Sequence, residues 1–64
     1  MEFYQWHYVV EFHKCLDKEL DMWNKVVISG WANNFNQAVE HVRNEHNTIG
    51  EDWWMMVVKI TQHP

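Results

Sequence analysis

A chain of 64 residues with a formal charge of −4, from nine acids against five Lys and Arg, has room for one domain, and a domain this small buries only about 60% of the surface its unfolded chain exposes. Its 47% apolar and 16% aromatic content, with five tryptophans, is too apolar for a disordered chain and too interrupted by charge for a membrane span. The acidic balance disfavours a partner held through phosphate contacts, which needs a clustered basic face.

From Tyr4 to Phe12 the chain alternates, with Tyr4, Trp6, Tyr8, Val10 and Phe12 on one side and Gln5, His7, Val9 and Glu11 on the other, the period of a half-buried strand. Lys14 to Asp21 is charged and spaces Leu16 and Leu20 as a helix would, so it reads either as a long hairpin connection or as one helical turn against the sheet. Met22 to Ala32 holds the β-branched run Val26, Val27, Ile28 and predicts a second strand. Asn34 followed three residues later by Gln37 has the form of a capping box. Phe35, Ala38, Val39, Val42, His46 and Ile49 then mark one face of an amphipathic helix ending between Asn47 and Gly50. Trp53 to Thr61 predicts a third strand.

The expected fold is therefore α+β in ββαβ order, one domain over residues 1–64. It has a three-stranded antiparallel sheet in the order 2-1-3 and a single helix packed on one face. One helix covers only one face of a sheet, yet the second and third strands are apolar on both faces. Strict alternation puts Val26, Ile28, Ala32, Trp54, Met56, Val58 and Ile60 under the helix, with Gly30 and Ala32 letting it approach. It leaves Trp23, Val27, Trp31, Trp53, Met55 and Val57 on the open face. Each tryptophan can bury on the order of 150–250 Å², so this face has the size of an interaction patch on a monomer. These six residues, with the acidic run Asp17, Glu19 and Asp21 able to attract a basic partner, are the candidate partner-binding site. Loops folding over the face, or pairing of two copies through it, would account for the same pattern.

The open aromatic face also admits a second class of function, a sheet on which the bases of single-stranded nucleic acid stack. Cations there are few, Lys25 and Lys59 with Arg43 on the helix, and Glu11 falls in the middle of the face. The five histidines do not assemble a metal site: His7 and His13 share a strand face but stand about 20 Å apart. His41 and His46 point to different sides of the helix, and no set reaches the three or four ligands zinc needs. They read as solvated. Ser29 and Cys15 show no base and orienting group in pattern, and Gly30 and Gly50 are isolated, so no phosphate-cradling loop is present. No catalytic residue, metal or cofactor is assigned. Cys15 has no partner for an internal disulfide and reads as a small filler near the hairpin connection, and the N-terminus lacks the basic start and apolar run of a secretory signal. The expected setting is reducing and cytoplasmic, for a non-enzymatic module that binds another protein.

The layout of a hairpin, one helix and a last strand, through Trp6 to Phe12, Val26 to Ala32, Phe35 to His46 and Trp54 to Ile60, resembles in architecture the small host-takeover proteins of bacteriophages, such as the short phage inhibitor of bacterial RNA polymerase. The resemblance implies a stoichiometric inhibitor or adaptor that clamps onto a host enzyme; it assigns no role to an individual residue.

Overall fold

The computed structural model describes residues 5–64, which run in the order β1 (Trp6–Asp17), β2 (Met22–Ala32), α1 (Phe35–Ile49) and β3 (Trp54–Gln62). The strands form one antiparallel sheet in the order β2-β1-β3, so the expected α+β architecture and strand order are both present. The cleanly alternating strand lies in the centre. Its Tyr8, Val10 and Phe12 are buried with Ala32 of β2 and Ala38 and Val42 of α1, and Trp6, Ile28, Ile49, Trp53 and Ile60 pack around them. Tyr4, which the alternation assigns to this strand, lies outside the described residues.

The segment Lys14 to Asp21 forms neither a long connection nor a helical turn. β1 continues to Asp17 through a register shift after Cys15, and residues 18–21 make the reversal. Asp17 Oδ1 accepts from the backbone N–H groups of Glu19 at 3.0 Å and Leu20 at 3.1 Å, the local bond by which Asp favours turns. Asp21 adopts φ 52°, a left-handed conformation that Asp reaches more easily than most residues. Leu16 and Leu20 are exposed.

α1 begins as the capping pattern predicts. Asn34 accepts from Gln37 N at 2.8 Å, and the Gln37 side chain accepts from Asn33 N at 2.7 Å, which satisfies two backbone donors near the helix start. The Asn33 side-chain oxygen is buried without a hydrogen-bond partner. At the far end Gly50, with φ 110°, donates its N–H to His46 O at 3.0 Å and stops the helix. The helix has 15 residues and is about 22 Å long at ~1.5 Å per residue, against about 40 Å for the 12 residues of β1 at ~3.3 Å each. Its ring contacts run from Phe35 on Trp6 (5.8 Å) through His41 on Tyr8 (5.6 Å) to His46 on Phe12 (5.4 Å). The hairpin beyond Phe12 and Val26 projects past this cover.

Gly30 serves a different neighbour from the one expected. A Cβ there would meet the Tyr8 ring, 2.6 Å from Cζ and 2.8 Å from Cε2. The Tyr8 ring thus lies across the glycine on the adjacent strand and fills the space its missing side chain leaves. Ala32 is fully buried, as close packing of the helix requires.

Candidate functional site

Strand register decides which side chains share the open face. β1 presents His7, Val9, Glu11, His13 and Cys15 there, and their partners on β2 are Trp31, Ser29, Val27, Lys25 and Trp23. On β3, Thr61, Lys59 and Val57 oppose His7, Val9 and Glu11. The alternation of β3 then breaks. Phe12 pairs with Met55 and His13 with Trp54, which leaves Met56 as the extra residue of a bulge.

The bulge corrects the sequence-based faces of three residues. Met55, expected on the open face, shares the helix-side position of Phe12, and Trp53, also expected on the open face, packs half-buried against the core. Its carbonyl accepts from His46 Nε2 at 2.9 Å, and Lys14 Nζ lies 5.9 Å from the centre of its ring. Trp54, expected under the helix, instead lies on the open face against Trp23, with ring centroids 6.3 Å apart, and is 62% exposed. Strict alternation gives no sign of an inserted residue; the only trace in the sequence is the unpunctuated run Trp53-Trp54-Met55-Met56, apolar at every position.

The open face thus gathers Trp23, Trp31 and Trp54 with Val27 and Val57, all of them exposed except half-buried Val57. They form two aromatic poles. At one, His7 packs on Trp31 at 4.7 Å and both rings meet His63, at 5.8 Å and 5.0 Å. At the other, Trp23 touches Trp54 and donates its indole N–H to Asp21 Oδ1 at 2.8 Å. Trp31 and Trp23 stand eight residues apart on β2, about 27 Å, and Val9, Val27 and Val57 occupy the ground between them. Nothing in the sequence pattern marks His63 for this cluster; its backbone N–H donates to Gln5 O at 2.6 Å, extending the β1 to β3 ladder past the last residue of β3.

Charges of both signs lie on the open face, on the helix side and at the hairpin tip, where Lys18 stands between Asp17 and Glu19. Glu11 is at the centre of the open face, between Val27 and Val57, and His13 Nε2 donates to its Oε1 at 3.4 Å. Lys25 and Lys59 flank it on the outer strands. Asp17, Glu19 and Asp21 sit at the hairpin tip, where Asp17 is committed to the turn and Asp21 to Trp23. Glu40, Arg43 and Glu45 belong to α1, and Glu51 and Asp52 to the loop after it.

The histidines divide in a way that departs from the solvated reading. His41 and His46 both pack on aromatic side chains of the sheet, whereas His7, His13 and His63 belong to the open face. Among the described residues no group of three or more His, Cys, Asp or Glu side chains is placed to hold a metal ion, and no pocket indents the surface. Cys15 is exposed opposite Trp23 rather than filling space beneath the connection. Among the described residues no helix is long and apolar enough to cross a membrane. On the covered side, burial raises the pKa of the Tyr8 hydroxyl above its ordinary value, and the nearby Glu45 carboxylate adds to the effect. What the open face offers is flat aromatic and aliphatic contact area with a few charges.

No family model, curated protein or solved structure matches this chain.

Proposed function

We propose that the protein is a non-enzymatic binding module that docks another protein on its open sheet face, with Trp23, Trp31 and Trp54 as anchors and Val27 and Val57 between them. The observation that carries the reading is the placement of three tryptophans on the face that α1 leaves bare, two of them 46% and one 62% exposed. Tryptophan is the residue type most enriched at binding hot spots, and a contiguous exposed apolar patch of this kind marks interaction sites on monomers. Asp17 and Glu19 at the hairpin tip add a negative rim that would speed encounter with a basic partner. In this reading the chain acts by occupying its target, as an inhibitor or adaptor of the bacteriophage host-takeover kind would, in a reducing cytoplasm that leaves exposed Cys15 unmodified.

A second reading, single-stranded nucleic acid stacked on the same tryptophans, is favoured by one observation. Among the described residues the other acids lie at the hairpin tip and around α1, so the strand positions of the face carry Lys25 and Lys59 against Glu11. Capture from a bacterial lysate with and without nuclease separates the two. The first reading expects a stoichiometric protein that survives nuclease and is lost with Val27→Lys. Loss of every partner after nuclease, with affinity falling steeply as salt rises, would replace it with the second.

A further inference from the structure

We infer that, before it meets any other partner, the open face is closed by a second copy of this chain, giving a two-fold dimer with the sheets packed face to face. The inference rests on the proposed reading of that face as an interface and names its first occupant. Three features of the molecule lead to it.

The core is very small. Among the described residues only Tyr8, Val10, Phe12, Ala32, Ala38 and Val42 are buried, and two of those six are alanines. Chains of this length commonly draw on association when their own core is thin. The area also matches. A face about 40 Å long, the reach of β1, is roughly 20 Å wide where β3 makes the third strand, from Trp6 to His13, and about 15 Å wide along the two-stranded hairpin beyond. It offers about 700 Å², within the range each partner gives to a standard stable interface. Finally, the face suits self-pairing in charge. It carries Glu11 with Lys25 and Lys59, so two copies can set each glutamate against a lysine of the other. A strongly single-signed face would repel itself. A hetero-partner is present only in its own compartment and time, whereas another copy is present whenever the chain is made.

The test is sedimentation equilibrium of the purified full chain from about 1 to several hundred µM, spanning the range of ordinary protein association. A species of twice 7.9 kDa is expected. Val27→Lys puts a charge at the middle of the face across from Glu11, where the lone chain can pair it but a closed dimer would bury it. It should raise the dissociation constant at least about 100-fold. Trp31→Ser should weaken the dimer by about tenfold or more, and Leu20→Lys at the exposed tip should leave it unchanged. Should Val27→Lys fail to fold, the thermal midpoint of the unaltered chain decides. A midpoint rising with protein concentration supports the dimer, and one independent of it overturns the inference. A monomer at every concentration, or a dimer indifferent to both Val27→Lys and Trp31→Ser, also overturns it. If the chain is monomeric while Val27→Lys still abolishes lysate capture, the dimer alone fails. If Val27→Lys alters neither, the reading of the face falls with it.

Discussion

Trp53 and Trp54 are adjacent in the chain yet lie on opposite sides of the sheet, so replacing each with serine should have opposite consequences. Trp53 is half-buried against the core. Removing about 100–150 Å² of its covered surface at ~25 cal/mol per Å² costs about 3 kcal/mol, a large share of the stability of so small a domain. Trp54 rests mainly on Trp23, itself exposed. Its loss should cost under about 1 kcal/mol, as surface substitutions do. Urea unfolding followed by far-UV circular dichroism reads both. The two changes belong in a Val27→Lys background, so that association does not enter the comparison. Binding should respond in the reverse sense. In the otherwise unaltered chain, Trp54→Ser should weaken partner capture or dimerisation by tenfold or more, while Trp53→Ser acts only through the fraction unfolded. If Trp54→Ser proves the more destabilising and Trp53→Ser the more damaging to binding, the bulge at Met56 is misplaced and strict alternation holds to the start of β3.

Gly30→Ala should destabilise by about 1–2 kcal/mol, because crowding of the Tyr8 ring at ~1–3 kcal/mol outweighs the ~0.4–1 kcal/mol gained by restricting the unfolded chain. A double-mutant cycle with Tyr8→Leu should recover most of that loss, and additive effects would refute the ring-over-glycine contact. The Tyr8 hydroxyl, raised by burial and by Glu45, keeps its proton in the folded chain at pH values where the unfolded chain has released it. Its contribution is complete below about pH 10 and is lost as pH climbs through the folded value. The urea midpoint should therefore fall more steeply above pH 10 in the unaltered chain than in Tyr8→Phe; equal slopes would dispose of the assignment. Asn34→Ala removes the bond to Gln37 N and should cost about 1 kcal/mol, measured by thermal unfolding, with Asn34→Ser restoring most of it.

The parts of this fold legible in the sequence are those set by short-range rules. Alternation from Trp6 to Phe12 marked the central strand, and Asn34 with Gln37 and Gly50 marked both ends of the helix, because period and capping depend on neighbours within a few residues. The same short-range alternation puts Trp23, Val27, Trp31 and Val57 on the open face, where the register has them. Alternation fails where a tertiary choice intervenes. The hairpin continued through Lys14 because Asp17 and Asp21 could close a tight turn, and Trp53 and Trp54 changed sides because β3 admits one unpaired residue against β1. Neither choice leaves a periodic trace. Tyr8 covering Gly30 was likewise hidden, since it depends on which residues the register sets opposite one another.

The bulge also makes the length of β3 adjustable in an unusual way. Because Val57 already faces Glu11 and Met55 already faces Phe12, deleting Met56 would join two segments whose partners are consecutive on β1. The shortened strand would alternate without interruption and keep Trp54 outward and Trp53 inward. Most single-residue deletions in a strand turn everything on one side of the cut over to the opposite face. Here a lost codon would straighten the ladder, so descendants of this gene one residue shorter could present the same tryptophans to the same partner.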